Sequence, residues 1–271
     1  MTYLILFGFG CLSGLTTVLF GFGGGFVAVP VMYWCILRVY PENALLQSNA
    51  MQIAVATSVM VMLVNTAQAS YKHYQKGNWR WDQINPLAIF IGVGAIIATY
   101  AIRFFDTDLL KTLFVLYLAL TILDALIRKG FIQSPSQQTP SPLSKPTSTV
   151  YGLIIGFVAT LLGVGGSIMT VPLMRRRGYS MTQATALASP LSLPVAVLGS
   201  AGYLVLGLYS PLDLGRTYIG YIDLAAFLAL AVGSWLGIRL CTPLIGKLPD
   251  QLHAKIYIAL LAFVLLSVWL N

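Results

Sequence analysis

Two stretches of this chain carry backbone and side chains that could hold an anion. The first is Gly21-Phe22-Gly23-Gly24-Gly25, running on to Pro30; the second, 142 residues later at every matching position, is Gly163-Val164-Gly165-Gly166-Ser167, running on to Pro172. Both sit in apolar sequence, where a helix-interior Gly costs roughly 0.8–1.0 kcal/mol relative to Ala. Consecutive glycines can take φ > 0 and turn successive N–H groups to one side as an anion-binding nest. A helix starting just after adds the positive end of its dipole, and Ser167 adds a hydroxyl. Downstream of each stretch lies a hydroxyl-bearing apolar run, with Thr57-Ser58 in one and Ser189-Pro190 plus Ser192 in the other. These could donate to an oxyanion, with Asn49 and Gln52 in support. The candidate substrate site is therefore Gly21, Gly23, Gly24, Gly25, Gly163, Gly165, Gly166, Ser167, Thr57, Ser58 and Ser189, together with Gln52 and Asn49. Each type has a plainer use. Glycines let helices pack closely, the reading preferred for Gly14, Gly156, Gly92 and Gly233, and a midspan hydroxyl often bonds its own backbone.

Other chemistries are poorly provided for. Glu42 is the single glutamate, and Asp82, Asp106, Asp108, Asp213, Asp223 and Asp250 fall in loops or at segment ends. Asp124 alone falls within an apolar run, where Arg128 at i+4 is its expected ion-pair partner. His73 and His253 are both placed at the cytoplasmic face, at segment ends, so no buried proton relay of the kind that marks ion-coupled carriers is expected. There is no HExxH for a metalloprotease. Cys11, Cys35 and Cys241 lie in or beside apolar segments without a CxxC and read as small packing residues. No catalytic residue, metal site or cofactor is expected, and the chain is not read as an enzyme.

The elements that must position the glycines follow from composition. Of 271 residues 58% are hydrophobic and 9% charged, against about 25% charged in a soluble domain. Apolar runs recur at 3–20, 45–68, 86–102, 109–127, 150–162, 182–208, 222–240 and 256–270, most near the ~20 residues that cross a bilayer. The class is an all-α polytopic membrane protein with 8–10 membrane segments. The N-terminus lacks the basic region and cleavage site of a signal peptide. A net charge of +8 is read as loop bias rather than as nucleic-acid binding.

If the chain reverses at each glycine stretch, its loops fall on two faces. One carries Lys72, Lys76, Arg80, Arg128, Lys129, Lys145, Arg175, Arg176, Arg177, Arg239, Lys247 and Lys255, twelve of the 16 basic residues; the other carries Arg38, Arg103, Lys111 and Arg216. The basic face is then cytoplasmic and both termini lie across the membrane from it. Segment Gln133–Thr149, rich in Ser, Pro and Gln, reads as a flexible linker. It gives three parts: a first transmembrane repeat at 1–128, a cytoplasmic linker at 129–149 and a second repeat at 150–271. Nine of 23 positions are identical between Gly10–Met32 and Gly152–Met174, so the halves are related. Each holds a glycine-broken hairpin and three further spans. The hairpin returns the chain to its starting face and three crossings leave it on the other, so the second repeat is inverted. The arms after the glycines, Phe26–Leu37 and Ile168–Met174, are too short to span, which makes them arms of re-entrant or half-helix hairpins meeting near the midplane. Pro30 and Pro172 are expected at the helix starts. Inverted repeats of this kind place a substrate at the repeat interface.

Paired GxGGG-x4-P and GxGGS-x4-P stretches, each followed by a span with a central Thr-Ser or Ser-Pro and divided by a polar mid-chain linker, resemble the TauE/SafE sulfite exporter family. The second half carries Ala188-Ser189-Pro190 in place of the family's Gly/Ala-Thr-Ser. The resemblance implies a bacterial inner-membrane, multi-pass carrier exporting a small anion such as sulfite, sulfoacetate or another organosulfonate, with the glycine stretches near the substrate. The expected partners are that small organic or inorganic anion and the lipid bilayer, with a homodimer as a further possibility. Uptake of sulfate, thiosulfate or a carboxylate is the alternative within transport. A membrane-embedded redox or assembly subunit is the alternative outside it.

Overall fold

The computed structural model describes residues 2–77, 81–127, 129–132, 143–209 and 213–270. Twelve α-helices are described: α1 (Thr2–Phe20), α2 (Gly25–Val39), α3 (Ala44–Ser48), α4 (Ala50–Gln75), α5 (Trp81–Ala101), α6 (Thr107–Ile127), α7 (Lys129–Ile132), α8 (Lys145–Leu162), α9 (Ser167–Arg176), α10 (Met181–Leu208), α11 (Leu224–Cys241) and α12 (Asp250–Trp269). A two-stranded hairpin, β1 (Tyr218–Ile219) with β2 (Ile222–Asp223), precedes α11. Eight helices among the described residues are long and apolar enough to cross a membrane: α1, α4, α5, α6, α8, α10, α11 and α12. The all-α polytopic architecture read from composition is the one found.

The hairpins at the glycines are unequal-armed. α1 and α8 have 19 and 18 residues, or about 28 and 27 Å of rise. α2 has 15 residues and α9 has 10, about 22 and 15 Å, both short of a ~30 Å hydrocarbon core. The long arm of the second hairpin starts earlier than composition suggests. Ser144 accepts the N–H of Thr147, and Pro146 occupies the first turn, so Lys145–Thr149 are helical rather than linker. Residues 133–142 of the expected linker lie outside the described residues, as does Arg128.

The prolines do not start the short helices. Pro30 and Pro172 lie inside α2 and α9, which begin at Gly25 and Ser167 with Gly24 and Gly166 as caps. Glycine backbone makes the turn without help from a pre-set φ. The effect of each proline is instead to leave a carbonyl four residues back without its helical donor. Ile168 O, freed in this way, accepts the hydroxyl of Tyr257 at 3.4 Å.

Helices α4 and α10 form the centre, packed on each other, and most of α4 is buried. The halves are interleaved: α1 packs most extensively on α11 of the other half, and α8 on α5. Glycine makes these contacts close. A Cβ on Gly14 would overlap Ser234 O, one on Gly233 would overlap Phe7 O, and one on Gly156 would overlap Ile91 O. Gly92 meets the Leu198 side chain at 2.8 Å. All four glycines assigned to packing are packed.

Loops that the alternation puts on one face are found in contact. On the basic face Lys76 Nζ reaches Thr242 O (3.1 Å) and Ile245 O (3.3 Å), and Arg177 Nη1 donates to Gln83 Oε1 (2.7 Å). On the opposite face Thr107 Oγ1 donates to Ser48 O (2.8 Å). Arg103 lies over the rings of Tyr100 and Phe104, and Arg239 lies over Trp235, as cations at helix ends do when they snorkel.

Candidate functional site

The two glycine turns come together beside the middle of α4. Gly21, Gly23 and Gly24 have φ of 74°, 70° and 93°, and Gly163 and Gly165 have 67° and 75°. These are left-handed values that disfavour any Cβ by roughly 1–2 kcal/mol. Gly25 is not left-handed; its reason is contact, since a Cβ there would overlap Gly163 O. Beside the middle of α4, Met62 Sδ would lie 3.1 Å from a Cβ on Gly23 and 2.9 Å from one on Gly165. The turns therefore touch, closed against each other in this conformation.

Each turn is fixed at the end of its long helix by the same kind of device. At Val18 O, near the end of α1, the acceptor is met by His73 Nε2 (3.2 Å), and at the adjacent Leu19 O by His253 Nε2 (2.9 Å). A carbonyl can only accept, so both imidazoles carry their proton on Nε2. At Thr160 O, 142 residues after Val18, the donor is the Tyr203 hydroxyl (3.2 Å). His73 and His253 lie at segment ends as read from sequence, but are buried there, at 1% and 3% exposed. Burial follows because α1 descends far enough to bring its C-terminal carbonyls level with the last turns of α4 and the first of α12.

Around the first turn the polar side chains are paired. Ser13 Oγ donates to Gly24 O (3.0 Å) and accepts from Asn65 Nδ2 (3.1 Å), while Asn65 Oδ1 accepts the Ser234 hydroxyl. Thr16 and Thr17 both bond Ser13 O. Sequence reasoning missed Ser13, Asn65 and Ser234. The signal was present in Asn65, a carboxamide in the middle of an apolar span, where an unpaired polar group is expensive.

Around the second turn several hydroxyls are not paired. Ser167 Oγ, Thr170 Oγ1 and Thr160 Oγ1 are fully buried without a protein partner. Ser167 opens α9 and Thr170 lies one turn on. In that first turn the N–H groups of Met169 and Thr170 go to Gly166 O (3.2 and 2.9 Å), so the candidate backbone donors are those of Ser167 and Ile168. Ser58 Oγ lies 2.9 Å from Gly163 O and 2.7 Å from Val55 O, so its one proton serves one acceptor at a time.

The remaining expected site residues are engaged elsewhere. Thr57 Oγ1 accepts the N–H of Asp223 (3.0 Å) at the start of α11. Burial pushes the Asp223 carboxyl above the usual carboxylate range, opposed by the N–H groups of Ala226 and Ala225 and the Tyr218 hydroxyl. Ser189 and Ser192 bond the carbonyls four residues back, Thr185 O (3.4 Å) and Ala188 O (3.0 Å). Gln52 donates to Phe105 O (2.9 Å), its Oε1 competes with Ser48 O for the one proton of Thr107 Oγ1, and Asn49 bonds Leu45 O and Ser48 Oγ. Both sit at the loop end of α4, away from the turns. Asp124 pairs with Arg176 (2.5 Å), 52 residues on, while its expected partner Arg128 lies outside the described residues.

Residues 6–268 match the family model described as sulfite exporter TauE/SafE. A probable membrane transporter protein of Haemophilus influenzae is 28% identical over 265 residues, covering 97% of this chain and 96% of the relative. One of Methanocaldococcus jannaschii is 27% identical over 247 residues, covering 88% and 85%. One of Bacillus subtilis is 22% identical over 275 residues, covering 94% and 90%. With the match running from the start of α1 to the end of α12 and two glycine turns at its centre, the chain belongs to the TauE/SafE sulfite exporter family of membrane transporters.

Proposed function

We propose that the chain is a secondary transporter that exports a small sulfur-containing anion, such as sulfite, sulfoacetate or another organosulfonate, by alternating access. The observation that carries this reading is the second glycine turn. It joins left-handed backbone, a helix start and the unpartnered, fully buried hydroxyls of Ser167 and Thr170. A sulfonate or sulfite oxygen would accept from these groups in place of its hydration shell. The contact between Gly25 and Gly163 would then be the closed position, and parting of the turns would admit the anion.

On this reading the halves are inverted repeats, the basic face is cytoplasmic and both termini are periplasmic. The pairing of α1 with α11 and of α8 with α5 supports the repeat, since equivalent helices find equivalent partners. With the cell interior negative, moving one charge across 100 mV is worth about 2.3 kcal/mol. That sustains a gradient of about 50-fold for a monoanion leaving the cell, so export needs no coupling ion.

The test is transport by purified protein in proteoliposomes, with sulfite, sulfoacetate, taurine, sulfate and a matched carboxylate as cargo. Selective movement of a sulfur anion supports the proposal. Movement of the carboxylate alone, or of none of them, overturns it.

A further inference from the structure

Behind each short helix lies a cleft on the lipid-facing surface, and the two clefts occupy matching places in the repeat. The first, about 350 Å³, lies between α1, α2 and α12; the second, about 280 Å³, lies between α8, α9 and α6. Pro30 in one matches Pro172 in the other, 142 residues on, and the outer helices match with an offset of 143. Position by position the chemistry differs. Trp34 is replaced by Arg176, Leu260 by Tyr117, Val264 by Thr121 and Ser267 by Asp124. One cleft is nearly all apolar. The other is an apolar trough with a cation at its mouth and a phenol in its wall.

The second cleft is suited to an amphiphile. Leu120, on its rim, is 57% exposed and its neighbours Leu116 and Leu123 are also exposed, so the trough opens sideways toward lipid. Ile155, Ile168, Met169 and Pro172 give it an apolar wall. The Tyr117 hydroxyl is buried without a protein partner. Arg176 spends one N–H on Asp124, and a guanidinium has five. Its side chain is 35% exposed, on the face read from sequence as the basic one. The neighbouring Arg175 is fully engaged by contrast, bonded to Phe131 O, Tyr179 O and Asp250.

We infer that this cleft binds an anionic phospholipid, its phosphate on Arg176 and an acyl chain along the α6–α9 trough, and that the matching cleft behind α2 has no preference for lipid charge. A lipid is favoured over a free anion because most of the wall is apolar and open to the bilayer. Since α9 carries the second glycine turn, occupancy would bear on that helix in particular.

The test is native mass spectrometry of the full chain in neutral detergent, with phosphatidylglycerol and phosphatidylcholine titrated separately. Wild type should retain phosphatidylglycerol about tenfold more tightly. Arg176→Gln should remove that preference. Asp124→Asn, which frees the guanidinium of its competitor, should strengthen it, whereas a merely structural ion pair would leave lipid preference unmoved in both variants. Inorganic phosphate should fail to compete. No preference in wild type, an unchanged preference in Arg176→Gln or Asp124→Asn, or full competition by phosphate would each overturn the inference. None of these readouts depends on transport, so the lipid site and the transport reading can fail separately.

Discussion

The two glycine turns share a backbone and differ in what surrounds it. Gly21 and Gly23 match Gly163 and Gly165 in left-handed conformation, and Val18 O and Thr160 O are capped from the central helices in matching fashion. From there they diverge. Gly24 is left-handed at φ 93°, whereas its counterpart Gly166 is ordinary helix at φ −67°. The first turn is wired through Ser13, Asn65 and Ser234, and the second keeps Thr160, Ser167 and Thr170 unpaired. A buried hydroxyl without a partner costs about 1–3 kcal/mol, a cost with no structural return in a resting fold. On the proposed reading the first turn is the fixed half of the site, and the second keeps hydrogen-bonding capacity for a ligand.

Substitutions at matched positions should break this comparison unequally. The largest effect is expected at Gly24→Ala. The added Cβ would sit on left-handed backbone and overlap the Asn65 carboxamide, costing about 2–4 kcal/mol in all. Gly166→Ala meets only the Ile155 side chain at 3.0 Å on permissive backbone and should cost less than about 1 kcal/mol. Thermal unfolding in detergent compares them, and equal losses would contradict the assigned roles.

Next comes the pair Asn65→Leu and Ser167→Ala. The first removes two buried hydrogen bonds but leaves Ser13 on Gly24 O and Ser234 on Ala231 O, and should destabilise by about 1–2 kcal/mol. The second removes an orphaned hydroxyl, so the empty protein should be as stable as wild type or slightly more so. Its anion affinity should nonetheless fall about ten- to a hundredfold, because a hydrogen bond to a charged group contributes about 1.5–3 kcal/mol. Unfolding and anion titration on the same preparations check both halves of this statement.

The smallest difference is expected at the caps. His73→Phe leaves Val18 O without its imidazole donor and should cost about 1–2 kcal/mol. In Tyr203→Phe the Thr160 carbonyl still accepts the N–H of Gly163 at 3.3 Å, so the loss should stay near 0.5–1 kcal/mol. Chemical stability measured for each variant against wild type decides the order.

Much of the fold was legible because lipid imposes simple rules. Length and apolarity marked the spans, and alternation put together the loops that Lys76 and Arg177 are found joining. The glycine motifs marked the turns, because left-handed backbone leaves a compositional trace at Gly21, Gly23, Gly163 and Gly165. What stayed hidden was three-dimensional. Gly25 is a glycine because of Gly163 O, a contact between halves that no local pattern records. Gln52 and Asn49 looked available in the chain but are held by loop carbonyls. His73 and His253 looked superficial because nothing local reveals how deep a partner helix descends. Asp124 also meets Arg176, a residue brought near by the turn of the second hairpin that no local spacing reveals.

The central claim is that the second turn holds the exported anion, and one measurement addresses it directly. Efflux of sulfite from proteoliposomes would be followed for wild type and Ser167→Ala, with a potassium diffusion potential setting the interior negative. The account predicts that efflux accelerates with potential in wild type and falls about tenfold or more in the variant at unchanged thermal stability. Efflux indifferent to potential, with Ser167→Ala moving sulfite as fast as wild type, would contradict it.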